Sequence, residues 1–188
     1  MTRTLFAFAV LAATATTAVA QAPVAVDASP RGQVELTVFA RGANNRNAAV
    51  GKLHIDYGQP SARGRAVAGN LIPAGQVWRL GANAATSFIT DVDIMIGEAR
   101  IPKGEYTLYS IQTASGAQLI VNKQTKQWGT TYEQAQDLVR IPLKVTTLQQ
   151  PIETFAIWLI PDQQPSVKGE LRMAWGTVQY SVAWSVAP

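Results

Sequence analysis

Thr177-Val178-Gln179-Tyr180-Ser181-Val182-Ala183-Trp184, close to the C-terminus, alternates its side chains with a period of two. Val178, Tyr180, Val182 and Trp184 form one row; Thr177, Gln179, Ser181 and Ala183 form the other. Successive side chains on a strand point to opposite faces, so this stretch predicts a strand with one face in a core and one toward water. Half-buried strands of this kind are what antiparallel sheets produce. The same period recurs upstream. Val34, Leu36 and Val38 share a face, as do Leu53, Ile55 and Tyr57, then Val92, Ile94 and Ile96, then Leu119 and Val121, then Val139, Ile141, Leu143 and Val145.

One run departs from the alternation. Phe155-Ala156-Ile157-Trp158-Leu159-Ile160 is apolar on both faces, which predicts a central strand covered above and below. Pro151 and Pro161 are expected to limit its length. Gly97, Lys103-Gly104, Ser115-Gly116 and Trp175-Gly176 supply turn signals between strands. No window sustains a helical period, and the best helical candidate, Tyr132 to Gln136, offers one or two turns. Gly104 stands two residues before Tyr106 at a strand start, the spacing of a tyrosine corner whose hydroxyl bonds backbone upstream. The expectation is an all-β chain forming a single antiparallel two-sheet sandwich or jelly-roll-like domain.

The N-terminus reads as a secretory signal peptide over residues 1–20. Arg3 supplies the charge, Leu5 to Ala13 the apolar core, and Ala18-Val19-Ala20 a small-x-small cleavage site. The apolar run is short for a membrane span, which needs about 20 residues. Residues 21–32 mix Ala, Pro, Asp and Ser as a flexible leader, and 33–188 form the domain. The expected location is periplasmic or secreted, with membrane attachment only if the N-terminal segment stays uncleaved. The whole chain carries a formal charge of +4, and removal of residues 1–20 takes one arginine and no acid. So small a surplus, with no basic stripe, argues against a nucleic-acid partner. With no cysteine and a single histidine, His54, thiolate nucleophiles are excluded and no metal or cofactor is expected.

Chemistry-bearing residues concentrate between Tyr57 and Thr86. Arg63, Arg65, Trp78, Arg79 and Asn83 lie there among Gly58, Pro60, Gly64, Gly69, Pro73, Gly75 and Gly81. Guanidinium forks match carboxylates and phosphates bidentately, and an asparagine adds a donor and an acceptor. A long, conformationally pinned loop with these groups is a natural ligand site. The competing reading is structural: Arg79 buried and paired with Asp56 or Asp137, fixing the loop over the sheet. Trp78 either stacks on a ligand or plugs the core. His54 is a weaker candidate, as a general base on a sheet face, with a half-exposed strand position as its plain explanation. Asp91 and Asp93 suggest calcium, but further oxygen ligands and a glycine turn do not follow them.

The order Trp78-Arg79-x-Gly81-Ala82-Asn83-x-x-Thr86 resembles the bacterial exported family known as domain of unknown function 2911. Further matches are Tyr57, Pro60, Ser61, Gly64, Arg65, Gly69, Pro73 and Gly75. Pro102, Gly104, Tyr106, Leu108, Asn122, Trp128, Gly129, Tyr132, Asp137, Arg140 and Trp175 complete the pattern. Ala40 to Val50, with Asn44-Asn45-Arg46-Asn47, departs from it and reads as a longer loop than the family's. The resemblance implies a β-rich exported domain and brings no catalytic residues with it.

Three functional expectations follow. The first is a noncatalytic binding or interaction module for an unknown small molecule, glycan or envelope protein, through an anionic or polar group. The second is a periplasmic hydrolase using carboxylates or His54. The third is an envelope-complex subunit anchored by its N-terminal segment. Cleavage after Ala20 predicts a mature protein beginning at Gln21, which intact mass of the periplasmic protein checks directly. Retention of Met1 to Ala20 in a membrane fraction would restore the anchored alternative.

Overall fold

The computed structural model describes residues 24–40, 48–163 and 167–188. The signal peptide expected at 1–20 and residues 41–47 of the expected loop lie outside the described residues, whereas Ala48 to Val50 of that loop belong to a strand. Ten strands follow in order: β1 (Arg31–Ala40), β2 (Ala48–Gly58), β3 (Val77–Trp78), β4 (Thr86–Thr90), β5 (Ile94–Ile96), β6 (Ala99–Ile101), β7 (Gly104–Thr113), β8 (Gly116–Asn122), β9 (Asp137–Pro161) and β10 (Lys168–Val186). Among the described residues the one helical element is a 3-10 turn at Gln134–Gln136, inside the expected helical stretch. The chain is an all-β, antiparallel single domain.

Hydrogen bonding runs through one continuous sheet, ordered β1-β2-β4-β7-β8-β9-β10-β5-β6, with β3 joined to β7. The continuity comes from the length of β9 and β10. Asp137 to Leu143 of β9 pair with β8, and from Lys144 onward β9 pairs with β10. Midway, this two-stranded ribbon bends. Gly176 faces Ile152 and Val178 faces Thr147, so residues 148–151 stand opposite Thr177 alone, a large bulge. Gly176 holds φ at 58°, and a Cβ there would sit 2.9 Å from Val67 Cγ2. Only glycine meets both demands.

Pro151 lies within the bulge, where a missing N–H removes no ladder bond. The expected strand boundary at Pro151 is therefore a bend inside one strand. Past it the ribbon doubles back, and Val186 N–H donates to Val167 O at 2.7 Å. Both halves of the ribbon feed one core: Phe155, Ile157, Leu171 and Met173 from one, Ile141, Leu143, Tyr180 and Trp184 from the other. Leu53, Ile55, Phe88, Leu108, Leu119 and Val121 complete it from β2, β4, β7 and β8.

The expected burial of both faces of Phe155–Ile160 is corrected. Phe155 and Ile157 are in the core, whereas Trp158 is 36% exposed and Ala156 and Ile160 are half-buried. Here β9 has β10 on one side, and the Pro60 carbonyl, which accepts from Phe155 N–H at 2.9 Å, and the Tyr57 hydroxyl, which accepts from Ile157 N–H at 3.1 Å, take up part of the other. A second proline sets the opposite end of the ladder. Two residues beyond Ser181 and Lys144, the register would oppose Ala183 to Pro142, which has no N–H to give. Ala183 O accepts from Gly97 N–H at 2.8 Å instead, and β5 takes over from Trp184 and Ile96 onward.

The tyrosine corner is present: Tyr106 donates its hydroxyl hydrogen bond to Pro102 O at 2.9 Å. On the face away from the core, Gln33, Asp56, Ser87, Thr107, Asn122 and Asp137 stand opposite one another across six strands. The segment between β8 and β9 is tied down over the end of this row. Asn122 Nδ2 donates to Glu133 O at 3.0 Å and to Asp137 Oδ1 at 2.9 Å, and Tyr109 donates to Thr131 O at 2.8 Å. Tyr132 donates to Asp137 Oδ2 at 2.8 Å and accepts from Arg140 Nη2 at 2.7 Å, while Arg140 Nε reaches the same Oδ2 at 2.9 Å. Burial first, then the hydrogen bond to Asp137, pushes the Tyr132 hydroxyl up to about 12. Burial does the same for Tyr180.

Two outcomes check this architecture. Gly176→Ala forces a left-handed residue with a side chain into Val67, so about 1–2 kcal/mol of backbone cost plus the clash should lower the melting temperature by several degrees. Val67→Ala in the same chain should recover part of that loss. Raised tyrosines keep their protons in the fold after the unfolded chain begins to lose them at about 10. Their contribution is therefore complete below pH 10 and fades as pH rises toward 12. Denaturant melts across that window should show falling stability, and Tyr132→Phe should reduce the fall.

Candidate functional site

The loop between β3 and β4 begins with Trp78 turned into the core. Its ring stacks on Trp175 at 5.8 Å and meets Phe155 edge-on at 5.0 Å. Trp78 is 7% exposed and takes the core-plug alternative, which removes it from the ligand-binding candidates. The chain then takes two left-handed steps, Leu80 at φ 50° and Asn83 at φ 62°. Such angles cost a side-chain-bearing residue of order 1–3 kcal/mol each and persist only where surroundings impose them.

Those surroundings are identifiable. Thr86 Oγ1 donates to Leu80 O at 2.7 Å. Gly129 N–H donates to Asn83 O at 3.1 Å, Ala85 N–H to Gln127 O at 3.3 Å, and Ala84 bridges to Trp128. The loop is thus fastened to residues 127–129, which the Tyr109–Tyr132–Asp137 network holds in place. Gly129 is required by close approach: a Cβ there would run into Arg79 Cδ. The stem of Arg79 crosses that glycine, and Arg79 Nε donates to Gly81 O at 3.4 Å. Trp128 beside it is 57% exposed, and Asn83 is exposed.

The expected ion pair of Arg79 is absent among the described residues. Asp56 is held by Arg31, whose Nε donates at 2.6 Å, and by Gln33 Nε2 at 2.8 Å. Asp137 is occupied by Arg140, Tyr132 and Asn122. Both acids find nearer partners along the sheet, and Arg79 is left half-buried beside Gly129. Arg31 also donates to Ala84 O at 3.2 Å. It lies in the stretch read as leader, where composition held no hint of this role.

Arg63 and Arg65 lie elsewhere, on the loop that crosses β9. Ala62 N–H bonds Glu153 O at 2.9 Å, and Glu153 Oε1 accepts from Arg63 N–H at 2.6 Å. The guanidinium of Arg65 folds back onto Ala62 O and Ser61 O, and that of Arg63 reaches Ala28 O. Arg65, Glu153 and Thr177 line a cleft of ≈ 400 Å³ over the ribbon bend. The four polar candidates therefore form two places, Arg79 and Asn83 on one loop and Arg63 and Arg65 on the other.

His54 faces away from the core between Glu35 and Ile89 in neighbouring strands. Its Nδ1 lies 3.6 Å from Glu35 Oε2, and no hydroxyl bonds it among the described residues. Asp91 and Asp93 sit in a bend, and each caps backbone: Asp91 accepts from Lys52 N–H and Asp93 from Lys103 N–H. The Lys103 N–H and then Arg100 hold the Asp93 carboxyl below its usual range. Among the described residues, no group of acids and histidine is placed to hold a metal ion.

No curated protein and no solved structure matches the chain. The family model described as Protein of unknown function (DUF2911) matches residues 41–184, which span the Arg79 loop, the Trp128–Gly129 clasp and the Tyr132–Asp137–Arg140 network. The chain belongs to the DUF2911 family.

Proposed function

We propose that the protein is an exported, noncatalytic binding module whose Arg79–Asn83 loop receives a ligand carrying a carboxylate or phosphate. One observation carries the reading. Arg79 is half-buried, has no carboxylate partner among the described residues, and stands on a loop held in strained backbone angles. Strain retained at a charged, open position is more at home in a binding site than in a structural joint. A guanidinium held by its stem loses little freedom on binding, which favours a bidentate anion contact. Asn83 adds an exposed amide on the same loop. Export rests on the signal-like residues 1–20, and a polar glycan or an envelope protein displaying acidic groups is the corresponding partner.

Calorimetry with oligogalacturonate, a carboxylate probe, and inorganic polyphosphate tests this. Wild type should bind at least one. Arg79→Gln keeps most of the stem and should melt close to wild type, within about 0.5 kcal/mol. It should nevertheless weaken binding roughly ten- to hundredfold, the value of a hydrogen bond to a charged group at about 1.5–3 kcal/mol. Arg63→Gln should leave binding unchanged. A variant that loses several degrees of melting temperature while binding like wild type would return Arg79 to a structural role, and wild type indifferent to both probes would remove the proposal.

A further inference from the structure

β1 pairs with β2 on one side, and no described strand pairs with it on the other. Which groups face that open side follows from the ladder. In an antiparallel pair, residues that exchange both backbone bonds alternate with residues whose N–H and C=O point away. Gln59 N–H donates to Pro30 O at 2.9 Å, which makes Pro30 and Gln59 an exchanging pair. By the same register, so are Val34 with Ile55 and Leu36 with Leu53. The far side of β2 agrees. Asp91 N–H donates to Lys52 O, which turns the even residues of β2 toward β4 and the odd ones toward β1. Arg31, Gln33, Glu35 and Thr37 therefore aim their N–H and C=O out of the sheet edge, where these groups have no partner among the described residues.

This edge is unguarded. Natural edges are blunted by proline, lysine, a bulge or a covering loop, because an open edge templates another strand. β1 has Pro30 just before it and a bulge between Val38 and Phe39, and the stretch between holds no proline, lysine or bulge. Gln33 and Glu35 are exposed, while Val34 and Leu36, which pack on the core, are only half-buried. The edge thus leaves backbone bonds unmade and apolar surface half covered. One added strand would complete both.

We propose that the added strand is β1 of a second copy, giving a two-fold dimer with one sheet continuous across it. Register and charge select this occupant. With the two-fold axis beside Val34, Arg31 meets Thr37 of the second copy and Gln33 meets its Glu35, so every outward residue is used. Val34 lies against its own copy, and the half-covered edges of both subunits are buried together. Glu35 then faces an amide and lies diagonal to Arg31 of the second copy, within reach of long side chains. An axis displaced to either side leaves Arg31 or Thr37 idle, and one at Glu35 also sets that carboxylate against its copy. The edge is therefore self-complementary in bonds and charge, as an isologous interface requires. The interface uses no residue of the Arg79 loop and stands or falls separately from the function proposed for it.

Sedimentation equilibrium over a wide concentration range, combined with backbone hydrogen exchange, tests this. Wild type should dimerise, and the amides of Gln33, Glu35 and Thr37 should gain protection as the dimer forms. Gln33→Pro removes an outward N–H and keeps the bonds between β1 and β2, so it should fold and dimerise at least about tenfold more weakly. If that variant fails to fold, Glu35→Lys, which sets a cation diagonal to Arg31 of the second copy, should weaken the dimer instead. A monomer throughout the range, or a dimer indifferent to the substitution, overturns the proposal. Protection of the same amides in the monomer also overturns it, and assigns the edge to the chain's own N-terminal segment.

Discussion

The bend of the β9–β10 ribbon at Gly176 is the constraint from which the rest of the molecule follows. Without it, two strands of 25 and 19 residues would run out flat and could not enclose anything. With it, each strand contributes to the core twice, once on either side of the turn. The bend is a joint requirement of three features: a left-handed backbone, an unopposed stretch of β9 that hides Pro151, and Val67 seated where a side chain would be. Val67 comes from the long loop after β2. The loop is consequently part of the hinge, and its glycines and prolines serve that seat before they serve any ligand. Its two arginines, bonded to neighbouring carbonyls, are fittings of the same joint.

On the opposite face the polar row performs a related task with different chemistry. Asn122, Tyr132, Asp137 and Arg140 satisfy one another so fully that the segment after β8 is held like a clasp. The clasp in turn presses residues 127–129 against the loop after β3 and sustains the left-handed turns at Leu80 and Asn83. Hydrogen bonds of roughly 0.5–1.5 kcal/mol each are comparable to strain of order 1–3 kcal/mol per residue, so several are needed and several are found. Arg79 occupies the position this arrangement leaves without a carboxylate among the described residues.

Much of the fold was legible in the alternation of apolar residues. Every stretch with a clean period of two became a strand or part of one, because half-buried strands write their orientation into the side-chain order. Three things were not legible. Phe155–Ile160 reads as a two-sided core strand, but Trp158 faces outward, since composition does not state how many neighbours a strand will have. Pro151 reads as a terminus and is instead absorbed by a bulge, a feature defined by the partner strand. Asp91 to Asp93 continues the pattern of Ile94 and Ile96 yet forms a bend, because its carboxylates cap the backbone of Lys52 and Lys103. At the site, the loop and its arginines were visible, but the pairing was not. The partner of Asp56 proved to be Arg31, and ion-pair choice depends on strand register, which one sequence does not display.

The order of the chain gives the ribbon a temporal meaning. The strands that bend to complete the core are synthesised after those they cover, because a nascent chain emerges from its N-terminus. Until β9 and β10 arrive, Trp78 has neither Trp175 nor Phe155 to pack on, and β8 has an open edge. Closure of the domain therefore waits for the final fifty or so residues, with pairings far apart in sequence and a correspondingly slow collapse. For the export route proposed here, that delay is a virtue: a polypeptide that cannot finish this domain before β10 is made remains threadable through a membrane pore.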